Sequence, residues 1–521
     1  MKKNLRSLHF AVFILLLLLS GSANSQTIQT GASLSHSVPE LEGVSSAGIL
    51  TFLDSAATSR HEFHSMVFLR HGKVIAEGWW SPYGREIKQT LYSTSKSFTS
   101  TAVGFAISEK YLTVDDKVIS FFPKDLPDSI TPFLAEMSIK DLLTMSAGMD
   151  PDPTHLVVSN DINWVKAFLA LPVVNKPGTK FLYNSMATYM LSAIVQKVTG
   201  EKIIDYLTPR LFKPLNIEGA DWEIDPHGIN TGGWGLRLKT EDMAKFGQLY
   251  LQNGKWNEKQ ILPKGWVAEA TTYKIDQAPD APQSKKEFND WMQGYCYQFW
   301  RCRNNAFRAD GAFGQYIIVM PEKDAVIAIQ AESPDMQDEI DLVWKYLLPA
   351  IKDGKMTEDI AMSEKLKQRL SSLSLPLLTK GVDSPVASQV SQKVYTFKPN
   401  ALNFDSLSFH FMEGICHVTL NSGNKEYNLA FGAGKWIGGE TTLTGPNLLK
   451  LAKAHNIGFA PEKVFGCFTW KDENTLELVL RYIESPHSEK ITCRFDGKKM
   501  TVEIQCSNVH EATKLISGEM R

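Results

Sequence analysis

The apolar pattern of this 521-residue chain changes character once, near residue 356, and that change restricts the fold to two unlike parts. Before it, strand and helix signals mix. Segments 64–70 and 73–78 read as two strands about a His71-Gly72 turn. In 97–112 the apolar residues Phe98, Ala102, Phe105 and Ala106 recur at helical spacing, and 139–145, 186–198 and 240–251 repeat that character. Strands return at 295–300, 315–320 and 324–329. An early strand pair, a helical middle and late strands imply an α+β fold with one antiparallel sheet, completed by both ends of the domain and flanked by helices.

From 356 to 391 the composition shifts to Lys, Ser and Leu with Pro376 and Pro385, which reads as a linker between a domain at 26–355 and another at 392–521. Strand then follows strand, at 394–397, 407–411, 417–420, 427–431, 475–482, 491–495 and 500–504. Turn residues such as Asn421 to Asn424 separate several of them, so the last part should be a small antiparallel barrel or sandwich.

Residues 1–25 read as a signal peptide: Lys2, Lys3 and Arg6 precede the apolar run 10–19, and Ala23 and Ser25 place small side chains before a cut after Ser25. A ten-residue run is too short to span a bilayer, which needs about 20. The expectation is a periplasmic or secreted protein with no transmembrane segment. Its removal leaves 52 basic against 57 acidic groups, and with no basic run nucleic acid is an unsuitable partner. All six cysteines lie in the second half at spacings that match no zinc motif. If Phe495 pairs with Met500 about the Asp496-Gly497 turn, Cys493 stands opposite Val502 and not opposite Cys506. These thiols are expected to be mostly buried small hydrophobes.

Three elements could carry chemistry. Ser93-Thr-Ser-Lys96 puts a hydroxyl and an amine on one face of a helix start, where the amine can take the hydroxyl proton and unpaired helix amides can hold an oxyanion. Ser-x-x-Lys recurs by chance, so its weight depends on the other two. In Tyr183-Asn-Ser185 a tyrosine precedes a helical run; beside a lysine ammonium its pKa would fall and it could shuttle protons. In Arg308-Ala-Asp-Gly311-Ala312-Phe-Gly-Gln315, bare glycines could let substrate approach the backbone or mark a bulge, and the Ala312 amide could be a second oxyanion donor.

Together, and in this order, these motifs resemble the class C-like branch of the serine β-lactamase and penicillin-binding-protein superfamily, over about residues 40–350. The stretches 139–148, 231–236 and 319–322 share in the likeness. The resemblance implies a β-lactamase-like sheet with a helical subdomain, and a serine hydrolase that needs no cofactor and no metal. It makes Ser93 the acylated nucleophile, with Lys96 as its base partner. Tyr183 becomes the group that protonates the leaving group and activates water, and the amides of Ser93 and Ala312 become the oxyanion hole. Ser185, in the place often held by asparagine, and Gly311 would contact a small ester, amide or short peptide. No class A-type glutamate motif is found, which favours the tyrosine as base.

The Lys-Thr-Gly strand of true β-lactamases is missing: Ala309-Asp310-Gly311 stands there, and Arg308 is the available replacement cation. This favours an esterase or amidase of the 6-aminohexanoate-oligomer hydrolase kind over a β-lactamase or D-Ala-D-Ala carboxypeptidase. A non-catalytic binding or sensing protein on the same fold is the alternative from another class. Trp79, Trp80, Trp164 and Trp234 are candidate pocket residues, and His227 with Asp225 is not needed by the mechanism. Every proposed catalytic residue precedes the linker, so a chain ending near residue 355 is expected to keep its activity.

Overall fold

The computed structural model describes residues 34–159, 163–378, 381, 383–449, 459–508 and 512–521; the expected signal peptide lies outside them. The first part is built on a six-stranded antiparallel sheet. Its strands are β1 (Glu62–Arg70), β2 (Lys73–Trp79), β3 (Trp300–Arg301), β4 (Phe307–Gly311), β5 (Gln315–Met320) and β6 (Ala325–Glu332). They are ordered β2-β1-β6-β5-β4-β3, so the two ends of the domain do complete one sheet. His71 (φ 50°) and Gly72 (φ 73°) both take left-handed conformations, which match the strand twist of a tight hairpin.

Alternation along β1 shows how the sheet is buried on both faces. Met66 and Phe68 join Ile49, Phe52 and Leu53 of helix α1 (Ser46–Thr58) in one apolar layer. Val67 and Leu69 join a second layer with helices α2 (Ser95–Ser108), α3 (Ser185–Thr199) and α4 (Thr240–Leu251). Helix α2 is central and rich in serine and threonine, a composition that burial alone would penalise. Its hydroxyls are satisfied by neighbouring backbone: Ser97 donates to the Gln298 carbonyl at 2.7 Å, Thr99 to Gly232 at 2.8 Å and Ser100 to Tyr297 at 2.7 Å.

Two sequence expectations change. Of 295–300 only Trp300 enters a strand, because the chain turns at Gln298 (φ 62°) to bury its amide against the Leu142 and Leu143 carbonyls and the Thr188 hydroxyl. The segment read as a linker carries helix α5 (Ile360–Ser371), started by the Asp359 side chain on the Met362 amide. Its apolar stripe is narrow, and Leu366, followed by Leu373 and Leu375, buries in the layer beneath α1.

The last part is a closed barrel. Its strands are β7 (Val394–Phe397), β8 (Ser406–Met412), β9 (Ile415–Ser422), β10 (Lys425–Ala433), β11 (Ile437–Thr441), β12 (Glu462–Asp472), β13 (Thr475–Tyr482), β14 (Ser488–Asp496), β15 (Lys499–Cys506) and β16 (Lys514–Met520). Nine of them form a ring, closed by parallel pairing of β10 with β12, while β11 pairs with β12 beside the seam. Closure removes the exposed edges a sandwich would leave. Cys493 stands opposite Val502, as the hairpin count requires, and all six cysteines are free thiols.

The barrel does not hang apart from the sheet. Arg481 makes a bidentate pair with Glu62 at 2.5 and 2.8 Å, and the Thr90 amide donates to the Glu484 carbonyl at 2.9 Å. Buried Glu484 also meets buried Arg237 at 3.2 Å. Among the described residues no helix is long and apolar enough to cross a membrane.

Candidate active site

A short 3-10 turn, Tyr92–Thr94, precedes α2, with Tyr92 itself at φ 45°. From Leu91 to Ala106 every residue is buried except Ser93. One helical turn on, Lys96 lies buried with its Nζ 3.1 Å from Ser93 Oγ, 3.0 Å from Ser185 Oγ and 2.6 Å from the Gly233 carbonyl. Loss of hydration brings the Lys96 pKa down to about 7, against the opposing pull of Asp152 and Asp310. A neutral amine has two N–H bonds and one lone pair. With the N–H bonds on Gly233 and Ser185, the lone pair faces the Ser93 hydroxyl.

Tyr183 covers the same lysine, its ring centroid 4.9 Å from Nζ, and hydrogen-bonds Ser93. It stacks on Trp300 with centroids 5.6 Å apart. Asn184 next to it accepts from the Met186 and Ala187 amides, which starts α3 and sets Ser185 on the first turn toward Lys96. The lowered tyrosine pKa expected from a neighbouring ammonium is not found. Burial raises the Tyr183 pKa and the Asp310 carboxylate raises it further. The group nearest deprotonation at neutral pH is therefore the lysine, and Tyr183 stands as a hydroxyl able to donate.

The third motif lies beside the nucleophile turn, where the Thr94 hydroxyl donates to the Gln315 carbonyl at 2.8 Å. Its glycines serve the protein backbone more than a substrate. A Cβ on Gly311 would run into the Leu91 carbonyl oxygen, and one on Gly314 (φ 92°) into the buried Glu339 carboxyl. The half-exposed Ala312 sits between them. Arg308 is no replacement cation. It is fully buried, 2.9 Å from Asp310 in an ion pair, donates to the Asp290 carbonyl at 2.9 Å and lies over the Trp291 ring.

Other candidates fall away from the chemistry. Trp164 and Trp234 pack on each other in the core, Trp80 is buried on the far side of the sheet, and Trp79 lies under Arg85. Asp225 accepts from Tyr189 and from the amides of His227 and Ile229, a structural turn. Sequence reading missed the Gly233 carbonyl, Asp152 and Trp300. Only the adjacent Gly232 and Gly233 gave a signal, as a place where backbone is exposed.

It also missed the contact that the barrel makes with this site. The segment between β13 and β14 brings His487 behind the nucleophile turn, Nε2 2.7 Å from the Tyr92 hydroxyl and Nδ1 2.5 Å from Glu332 Oε1. A carboxylate only accepts, so Nδ1 donates to Glu332, and in the imidazole tautomer that this selects Nε2 is the acceptor for Tyr92. The backbone of Leu448, after β11, also hydrogen-bonds the Tyr92 side chain, and His487 packs edge-on against Phe313 at 4.7 Å. Two residues flanking the proposed chemistry, Tyr92 and Phe313, thus rest on the second part of the chain.

The family model described as Beta-lactamase matches residues 57–348. The chain is 24% identical over 288 residues to a 6-aminohexanoate-dimer hydrolase of Paenarthrobacter ureafaciens, covering 52% of this chain and 73% of that one. It is 24% identical over 313 residues to a β-lactamase of Escherichia coli (strain K12), covering 50% and 80%. Among solved structures, the octameric penicillin-binding protein homologue from Pyrococcus abyssi aligns over 90% of this chain and 99% of that one, at 16% identity and a TM-score of 0.47.

Proposed function

Because the chain belongs to the β-lactamase family of serine hydrolases, we propose that it cleaves a small neutral or cationic ester or amide through an acyl-enzyme on Ser93. The observation that carries this reading is the 3.1 Å approach of the buried Lys96 amine to the hydroxyl of Ser93, the one residue of its turn that is not buried. Ser93 Oγ attacks the substrate carbonyl as its proton passes to Lys96, and the amides of Ser93 and Ala312 hold the oxyanion. When the carbon–leaving group bond breaks, Tyr183 gives its proton to the departing oxygen or nitrogen and regains one from Lys96. Water then repeats the sequence: it loses a proton to the restored amine and displaces Ser93, which leaves with a proton.

Substrate charge follows from the groups that reach Lys96. They are the carboxylates Asp152 and Asp310, and Arg308 is committed to Asp310. An anionic β-lactam or peptide carboxylate would find no free cation on the Ala309 strand position, whose side chain is in the core. In this reading the hydrolase domain occupies 26–355 and residues 1–25 direct export to the periplasm or beyond. The test is a panel of p-nitrophenyl esters, D-amino-acid amides and nitrocefin, together with intact-mass labelling by a fluorophosphonate. A label on Ser93 with kcat/KM higher for esters than for nitrocefin is expected. Nitrocefin as the better substrate would overturn the specificity, and no label and no turnover would favour a binding protein.

A further inference from the structure

The barrel interior is not completely filled. It holds a cavity of about 190 Å³, whose wall includes Leu407, Leu429, Phe431, Leu478, Ile491 and Val502. A dry apolar cavity of about 150 Å³ is enough for benzene, so this space takes an aliphatic segment of roughly six to eight carbons. Away from the rim the barrel is packed with aromatic rings. Trp470 lies 5.7 Å from both Phe411 and Phe495, and Phe495 lies 5.7 Å from Phe409.

The polar residues of the cavity wall lie toward the other end. Lys514 is the first residue of β16 and Glu489 the second of β14, and Thr444 follows β11. Register fixes where the lysine stands: Lys514 pairs with Ile504, Ile504 with Ile491 and Ile491 with Leu478, a single row whose four members all line the cavity. The Lys514 side chain is exposed and has no ion-pair partner among the described residues. Glu489 accepts a hydrogen bond from Tyr482 at 3.3 Å. An apolar bore with a cation at its rim fits a molecule with an aliphatic tail and a negative head.

We propose that the barrel is a binding site for a medium-chain aliphatic carboxylate, with the tail in the cavity and the head at Lys514. The site is separate from Ser93 and does not depend on the hydrolase reading. It has a route to the other site, however: Leu478 and Leu480 of β13 and Glu489 and Ile491 of β14 line the cavity, and the segment joining these strands carries His487 to Tyr92.

The probe is sodium octanoate, titrated calorimetrically into full-length protein bearing Ser93→Ala, so that turnover does not contribute, with 1-octanol as the uncharged control. One octanoate per chain is expected. Lys514→Glu should weaken octanoate at least about fivefold while changing 1-octanol less than about twofold, and Leu429→Phe, which fills the bore, should weaken both at least about tenfold. The proposal is overturned by absence of octanoate binding at millimolar concentration. It is equally overturned if Lys514→Glu affects both ligands alike, or if binding persists in folded Leu429→Phe, which would put the ligand elsewhere. If Leu429→Phe does not fold, the octanoate-to-octanol comparison in Lys514→Glu decides alone.

Discussion

Two lysines mark the two halves of this molecule, and their surroundings give them opposite chemistry. Lys96 is buried between two hydroxyls and a carbonyl, with no carboxylate in ion-pairing contact among the described residues, and burial lowers its pKa to about 7. Lys514 stands exposed at the rim of an apolar cavity. Water removed from the first makes it a base; the second stands where a negatively charged group could approach it from the cavity mouth. The halves also differ in how they hold their residues. The hydrolase site is assembled from helix starts and a strand turn that pack directly on one another, while the barrel acts on that site from behind through His487.

The largest effect should come from the reacting oxygen itself. Ser93→Ala is expected to abolish ester hydrolysis with an unchanged circular dichroism spectrum, since a methyl group cannot be acylated. Wild-type turnover in a folded Ser93→Ala protein would remove the whole assignment. Lys96→Met and Tyr183→Phe should each lower kcat by at least about a hundredfold, the scale of a positioned proton-transfer group. A Tyr183→Phe enzyme with near-normal rates would leave the chemistry to Ser93 and Lys96.

The comparison between the halves is sharpened by separating them. The sequence places every reacting group before residue 356, which argues that a chain ending at 355 keeps activity. The structure argues the reverse, because such a chain loses His487 under Tyr92, Glu484 beside buried Arg237 and Ile483 from the sheet's apolar layer. Arg237 keeps its bidentate pair with Asp221, so the cost falls mainly on the Tyr92 contact and on the apolar layer that Ile483 leaves. The expected outcome is loss of activity with a lower melting temperature; full activity in a folded truncation would make the barrel an accessory. More finely, His487→Ala should reduce kcat about tenfold with little change in KM, and His487→Gln, whose amide oxygen can accept from Tyr92, should restore most of it. If both variants lower the melting temperature equally and leave kcat alone, the contact is structural only.

How much of this could be read from the chain depends on whether a feature is local. The Tyr183-Asn-Ser185 helix start, the His71-Gly72 hairpin and helix 240–251 each announce themselves within a few residues, and all three are present. Strands β12 and β16 were missed because Gly466 in the first, and adjacent Leu515-Ile516 followed by Ser517-Gly518-Glu519 in the second, break the apolar alternation. Arg308 read as an available cation because sequence shows its charge and not the Asp310 and Trp291 that confine it. His487 gave no signal, since its partner Tyr92 lies 395 positions away and only the closed barrel brings the two together.

The smallest effect, and the one that most directly separates lysine from tyrosine as the base, is the dependence on pH. If the neutral Lys96 amine takes the Ser93 proton, kcat/KM should rise with pH to a midpoint near 7 and stay flat above it, because the Lys96 pKa lies at about 7. A tyrosinate base would instead keep the rate climbing well into alkaline solution, since the Tyr183 pKa is raised. The same shift bears on stability. Between pH 7 and the ordinary lysine pKa of 10.5 the unfolded chain holds a proton on this lysine that the folded chain has released, so stability should rise with pH across that window. Below pH 7 both states are charged and the folded one bears the whole penalty of the buried ammonium. Lys96→Met removes the titrating group and should flatten this rise relative to wild type in denaturant titrations at pH 7, 8 and 9. A wild-type rate without an acid limb, or equal slopes in the two proteins, would show that Lys96 keeps its proton in the fold, and the first proton transfer would then have to be reassigned.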